Sequence, residues 1–516
     1  MNVHSKIIFF YIWYLCTLPL NGQPGFSKYF DFGISTDFHN IALVEDTVYL
    51  IGSTIDSVEE RQGLVFAKLD TNGILIDSRV HLDPDGGQYA FNLTLPLVPV
   101  SDGGFLITGG ILASNEYFAL KLDNSGNVQF LKKYQEPTYS QQVIPWKAIE
   151  LSNGDFLICS TVNLQNFKND ILVKRVSTTG EPLWEKKYGI SGISESIGSL
   201  FIDENGHIIL GCGRSSDVLV DPQSNVTCPR TWIFAIDGDG IVQWSNVSDP
   251  CDGGAPRGLA VTDSGDWIYA TFNTAVFNLS NWGRAPKFIK KDSQFNFIWE
   301  RQVAESYWFG NFIIDIAPTP DGNWIGAGNW VLPPPFNTLI SDDDIHYSAG
   351  CLYKINGDGD SLWLRADTVL LDSRTTQETY VGLVVLPSGS VIAAGSFFET
   401  IPGVGSRLRA WVTKVDANGC MFEDCALTST LVPESAQTEE VSLFPNPTSN
   451  FITIDAQKPI NHIELTDMNG RILRRWPAGE IPPQIDLSAY PAGTYIVYVR
   501  IGNRIYPKRV IVQGSN

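Results

Sequence analysis

At 516 residues the chain is too long for one ordinary hydrophobic core, so several domains or one large repeat architecture is expected. Its 43% hydrophobic and 18% charged residues are those of a globular protein. The balance of 36 basic against 56 acidic residues leaves a net charge of -20, which argues against nucleic acid and anionic membrane surfaces as partners.

Residues 1–22 carry the positive charge of Lys6 ahead of the apolar run from Ile7 to Leu20 and end at Gly22, the layout of a cleaved export signal. The run is short for a bilayer span, and no later segment is long and apolar enough, so no stable membrane span is expected. Export permits disulfides. Seven cysteines follow the signal, and the expected pairs are Cys228 with Cys251, which flank a hairpin, and Cys420 with Cys425, which share a turn-like segment. Spacing alone does not fix this connectivity. Cys159 and Cys351, inside apolar strands, read as core residues.

From residue 23 to 428 the chain repeats a unit of about 50 to 60 residues, a period that points to a repeat architecture. Each unit opens with an apolar strand, then a tight turn and a second strand, as in "SDGGFLITGG" from Ser101, "SNGDFLICST" from Ser152 and "PDGNWIGAGN" from Pro320. Asp-Gly and Asn-Gly turns are hairpin signals, because glycine accepts the positive φ that a two-residue turn demands. A third strand and second turn follow, as in "FALKLDNSG", "LVKRVSTTG" and "LYKINGDG". Four residues beyond that turn position stand Phe130, Trp184, Trp244, Trp299 and Trp363. Seven sets of third strand and turn predict an all-β, seven-bladed β-propeller with four-stranded blades. The seventh unit has no usual fourth strand after Gly419, so Phe26 to Phe32 is expected to supply it and latch the ring. In their turn and tryptophan pattern the units resemble the tryptophan-docked blades of pyrroloquinoline-quinone dehydrogenases and their noncatalytic propeller relatives. The cofactor pocket of those enzymes, with its vicinal disulfide and calcium ligands, is not located in this sequence, and no cofactor is expected.

A polar linker, residues 429–440, separates the propeller from a second domain, residues 441–516. That domain carries eight Lys/Arg and five Asp/Glu, a net of +3, whereas residues 23–440 carry 27 against 51, a net of -24. "LFPNPTSN", "DMNGRIL", "LSAYPAGTYIV" and a terminal Lys-Arg-Val resemble, in order and spacing, the type A C-terminal sorting domain of the type IX secretion system of the Bacteroidota. The resemblance implies a small β-sandwich that directs a periplasmic protein across the outer membrane, for release or attachment at the surface. It makes the secretion machinery a partner and marks Pro445, Asn446, Pro447, Gly470, Gly493 and Lys508 as signal residues.

In a propeller the loops between second and third strands open on the face around the axis, the expected site of function. They are long here and carry Trp282, Trp330 and Phe336 beside Asp and Asn, a combination suited to stacking on sugar rings. Burial of these aromatics against neighbouring blades is the alternative. "SDDDIH" from Ser341 offers three carboxylates and an imidazole to calcium, but consecutive acids do not all point one way, and a solvated acidic loop is the simpler reading. "NGDGD" and "DGDG" resemble calcium loops yet fall where other units have hairpin turns. Residues entering the innermost strands are His39, Tyr89, Gln142, Trp146, Glu195, Arg257, Trp308, Glu378 and Tyr380, and among them Glu195, Glu378 and His39 are the candidates for catalysis, with the two glutamates able to pair across the funnel. The sequence holds no nucleophile elbow, phosphate loop or metalloprotease motif. The reading favoured is a noncatalytic, secreted or cell-surface propeller that binds a glycan or protein, and the alternative is a polysaccharide-degrading enzyme.

Overall fold

A computed structural model describes residues 25–90, 96–135, 143–163, 169–219, 227–250, 253–278, 281–303, 312–331, 348–367, 378–401, 405–421, 441–456, 459–467, 472–477, 479, 481–501 and 504–513. The expected export signal and the linker lie outside them. Residues 26–415 form seven antiparallel sheets, each a meander of first to fourth strands. Blades 1 to 6 span residues 36–81, 89–135, 144–188, 195–247, 257–302 and 312–367, and blade 2 splits its first strand in two. Blade 7 takes three strands from residues 379–415 and its fourth from Phe26–Phe30, which runs antiparallel to Gly405–Val415 with Phe26 opposite Lys414 and Phe30 opposite Ala410. The N-terminal latch read from the missing fourth strand is therefore present.

The core is a set of layers between successive blades. Leu64, Phe66, Phe105 and Phe118 join blades 1 and 2, and Leu106, Tyr117, Phe156 and Leu172 join blades 2 and 3. The series continues round to Phe38, Leu50, Ile392 and Val412, which join blade 7 back to blade 1. The first strands of successive blades also touch one another all the way round, so they line a common axis. This closed β-propeller leaves no sheet edge between its first and last blades.

The recurring aromatic of the fourth strand holds one blade to the next. Trp184, Trp299 and Trp363 each donate the indole N–H to a carbonyl in the following blade's turn, those of Gly238, Gly357 and Ala417, at 3.2 to 3.3 Å. Gly240, at φ 72°, lies so close under Trp184 that an added Cβ would meet Cη2 at 2.8 Å. Phe26 takes the same register in blade 7, opposite Lys414 as Trp363 is opposite Lys354, and covers Gly73 of blade 1. The cation across from the aromatic is a further repeat: Lys121, Arg175, Lys290 and Lys354 reach the acids of their own blade's first turn, Asp102, Asp155, Asp266 and Asp321. "DGDG" and "NGDGD" are hairpin turns, with Asp237 Oδ1 and Asn356 Oδ1 each accepting two backbone N–H groups.

Much of what reads in sequence as long loops is strand. In blades 4, 5 and 7 the second and third strands extend to Leu219 and Thr227, Asn278 and Asn281, and Ile401 and Gly405. Residues such as Thr274, Val276 and Phe398 favour continued cross-strand pairing over irregular loop. Cys228 and Cys420 are each disulfide-bonded, and Cys251 and Cys425, their expected partners, lie outside the described residues. Cys159, Cys212 and Cys351 are buried free thiols.

Residues 441–513 fold around a core of their own, including Ile452, Ile463, Leu465, Trp476, Val497 and Val510. Val441–Phe444, Phe451–Ala456 and Ile485–Asp486 form one sheet. Ile472–Pro477, His462–Asp467, Gly493–Ile501 and Arg504–Val512 form the other, giving a small sandwich. Asn446 Oδ1 accepts the N–H of Ile511, and Thr448 exchanges backbone bonds with Ile511 and Gln513, so the "PNPT" segment is clamped to the last strand. Gly493 begins the strand that pairs with the one holding Lys508, opposite Val497, and Gly470 lies outside the described residues.

Candidate functional site

The seven first strands converge on the axis, and their side-chain directions are set by a shared irregularity. In blades 1, 3, 4, 5, 6 and 7 one extra residue in the first strand shifts its register against the second, a bulge that re-aims the side chains that follow. Lys147, Ser199, Asp315 and Gly382, just after the shift, and Arg257, just before it, stand opposite Cys159, Gly211, Ala327, Ala394 and Ala270, in each case the fourth residue of the second strand. They form one tier around the axis.

Groups in and beside this tier act on one another across the ring. The Arg257 guanidinium of blade 5 lies 5.5 Å from the ring centre of Trp146 in blade 3, a contact that has to pass in front of blade 4 through the axial space. Lys147 of blade 3 and Asp315 of blade 6 act on each other's charge, and Arg257 acts on Lys147. All three are deep in the ring and half-buried, the environment of groups that face an axial cavity. Burial drives the Lys147 ammonium below the usual lysine range, with Asp315 opposing and Arg257 reinforcing the shift. Burial raises the Asp315 carboxyl, against the pull of Lys147 and of the backbone N–H groups of Leu383 and Ile316. It also lowers Arg257. Ser199 ties the tier to blade 5, donating its hydroxyl to the Pro256 carbonyl at 2.7 Å and accepting the Leu259 N–H at 3.1 Å. Two basic side chains and one carboxylate thus share this part of the ring.

The acids singled out from sequence lie elsewhere. Glu195 is opposite Arg214, about 10 Å along the strand from the tier by strand rise. It is 1% exposed and accepts from Arg214 Nε at 3.1 Å, while the Arg214 guanidinium stacks 3.9 Å over Trp232. This places it in the seam between blades 3 and 4, and burial raises its carboxyl despite Arg214. Glu378, fully buried, is held through its backbone, with its N–H and C=O both bonded to Ser348 Oγ of blade 6. His39 is buried, with Nε2 3.2 Å from Asp37 Oδ2, and Ser53 donates to the other Asp37 oxygen. Burial pushes the Asp37 carboxyl up, but His39 and Ser53 outweigh it and hold the group below its ordinary value. The carboxylate sits between hydroxyl and imidazole, so this is not a nucleophilic triad, in which the imidazole takes the serine proton.

Trp330 is half-buried and lines a small cavity with Pro286, Val303, Ile313, Asn329, Cys351 and Leu364, between blades 5 and 6. Trp282 pairs with Val276 along a strand, while its side chain and all of Phe336 lie outside the described residues. Sequence reasoning did not single out Lys147 or Asp315. The available signal was a lone charge in each of two apolar first strands, "IPWKAIE" and "FIIDIAP".

Residues 442–513 match the family described as the secretion system C-terminal sorting domain. The protein is therefore directed to export, to the cell surface or the medium, and among the described residues no helix is long and apolar enough to cross a membrane. No curated protein matches the chain. Solved structures similar to it include an ulvan lyase at 8% identity, covering 74% of this chain and 95% of that one with a TM-score of 0.45. Others are the β-propeller domain of the Trilobed protease from Pyrococcus furiosus, at 10% identity, 72% and 97% coverage and TM-score 0.38, and an α-L-arabinofuranosidase of Fusarium graminearum, at 13%, 63% and 93%, and 0.36.

Proposed function

We propose that this is a noncatalytic, tryptophan-docked propeller of seven blades, exported from a Bacteroidota cell by the type IX secretion system after loss of residues 1–22, whose axial tier binds an acidic extracellular glycan. The observation that carries the reading is the Arg257 guanidinium of blade 5 set 5.5 Å from the Trp146 ring of blade 3, with Lys147 of blade 3 and Asp315 of blade 6 close enough to act on each other's charge. Two cations against one carboxylate leave a positive charge partly shielded from water, where a ligand carboxylate or sulfate forms charge-assisted hydrogen bonds. Trp146, beside Arg257, supplies an apolar face for the sugar ring.

Titration calorimetry of the secreted protein with oligomers of polygalacturonate and alginate tests this. Arg257→Gln and Lys147→Gln are each expected to weaken the acidic oligomers by about tenfold or more. Equal affinity of both variants and the wild type would sink the reading. A polysaccharide-degrading activity is the second reading, favoured by the placement of Lys147 in the tier with Arg257, since burial makes its ammonium a readier proton donor and its amine a candidate to take a proton α to a carboxylate that Arg257 neutralises. It predicts an unsaturated, ultraviolet-absorbing product that Lys147→Gln abolishes.

A further inference from the structure

The ring departs from its own rule at one junction. In six blades the turn between third and fourth strands carries a glycine at φ between 71° and 84°: Gly73, Gly126, Gly180, Gly240, Gly359 and Gly419. Bare backbone there lets a side chain of the preceding blade lie flat on the turn. In blade 5 the place is taken by Phe295 at φ 65°, a left-handed conformation that is costly for a bulky aromatic and that persists only where its surroundings impose it. Its ring stacks on Trp267 at 4.9 Å and 18° and meets Trp244 at 5.6 Å. Trp244 is the aromatic whose counterparts Trp184, Trp299 and Trp363 donate to the next turn. Among the described residues its own indole N–H donates to no protein group.

The result is an open cleft of about 420 Å³, with the three rings as its apolar wall and Asp203, Asn205 and His207 on its polar edge. His207 Nδ1 faces Asp203 Oδ2 at 3.1 Å, which fixes the imidazole and leaves Nε2 available. The cleft is built from the first turn of blade 4 and the second turn of blade 5, so it lies at the hairpin end of the ring, away from the connections between second and third strands. We propose that it is a second ligand site, one that takes a neutral pyranose residue of a glycan chain and does not depend on the axial tier. A pyranose has an apolar C–H face that fits an aromatic wall and hydroxyls around its rim. The Trp244 N–H, Asn205 and His207 bond such hydroxyls, while the Asp203 carboxylate accepts from them and disfavours an anionic sugar.

Native-gel affinity electrophoresis of the chain lacking residues 1–22, against xyloglucan, mixed-linkage β-glucan, galactomannan and amylopectin, followed by calorimetry with the retarding polymer, tests the site. At least one neutral polymer should retard the protein, and Trp244→Ala should weaken it about tenfold or more. Phe295→Gly, which restores the glycine of the other six turns, should lose binding without lowering Tm, a combination that damage to the fold cannot produce. Arg257→Gln should leave this binding unchanged. Failure of all four polymers, wild-type affinity in both rim variants, or loss of binding in Arg257→Gln would each overturn the proposal.

Discussion

Ring closure rests on five N-terminal residues, and Phe26 offers the cleanest way to weigh it. Its ring is half-buried over Gly73 of blade 1, with the Lys28 ammonium 5.0 Å from its centre. Complete burial of a phenylalanine side chain contributes up to about 3 kcal/mol, so half of it contributes about 1 to 1.5 kcal/mol. The cation adds about 0.5 kcal/mol at a partly exposed site. Phe26→Ala should therefore cost about 1.5 to 2 kcal/mol. For a propeller of about 400 residues, whose unfolding entropy is near 0.8 kcal/mol/K, that is a fall of about 2 °C in Tm. Trp363, only 5% exposed at the blade 6 to 7 junction, should cost about 3 to 5 kcal/mol when replaced by alanine, or about 4 to 6 °C. Differential scanning calorimetry of both variants reads the order directly. An unchanged Tm for Phe26→Ala beside a fall for Trp363→Ala would mean that the N-terminal strand does not carry the closure assigned to it.

Gly240→Ala should destabilise by about 2 kcal/mol, because its φ of 72° is strained for alanine and the new Cβ would displace Trp184, and a scan showing no drop in Tm would remove the docking argument. Burial by itself raises the Asp321 carboxyl, but hydrogen bonds from Lys354 and Thr319 outweigh it and hold the group well below its ordinary value. A carboxyl depressed on folding stabilises above its unfolded pKa, near 3.9, and the contribution is lost as pH falls through the folded value. Asp321→Asn should thus lower Tm at neutral pH, with the gap to wild type closing below about pH 4, whereas a gap constant with pH would count against the Lys354 pairing as its source. Removal of residues 441–516 should leave the propeller in the periplasm, as cell fractionation with an antibody to the propeller would show.

The parts of the fold legible in the sequence are those fixed by local backbone demands. A glycine that must adopt positive φ, followed four residues later by an aromatic that must cover the next blade's turn, repeats at a fixed spacing, so blades could be counted and the missing strand of blade 7 noticed. The axial tier was legible only in part, since Trp146 and Arg257 read as innermost-strand residues while Lys147 and Asp315 did not, for two physical reasons. Trp146, Lys147, Arg257 and Asp315 are far apart in the chain and meet only once the ring is closed. The bulge in six of the seven first strands also breaks the two-residue alternation, so counting from the strand start picks out Glu195, which faces the blade seam, and passes over Lys147, which reaches the axis. The rim cleft was hidden by the opposite effect. Phe295 fits the repeat's spacing well enough to look like one more blade, and only the loss of glycine at that turn marks it as different.

The charge of the whole propeller makes the axial reading testable by salt. Propeller and linker together, residues 23–440, carry a net charge of -24, so an acidic oligosaccharide is repelled at long range while the proposed site would attract it at short range. These two effects respond differently to ions. The repulsion acts across solvent over distances beyond a Debye length of about 8 to 10 Å at physiological ionic strength, and is screened. Contacts with Lys147 and Arg257 would be made deep in the ring, where mobile ions enter poorly, and would be screened much less. Raising salt from about 0.01 to about 0.15 M should therefore speed association and leave the affinity for an acidic oligomer equal or tighter. An oligomer held by exposed lysines and arginines on the rim would behave in the opposite way, losing affinity steadily as salt rises. Stopped-flow association and calorimetry at the two ionic strengths separate the cases, and a steep loss of affinity with salt would move the acidic ligand from the axis to the surface.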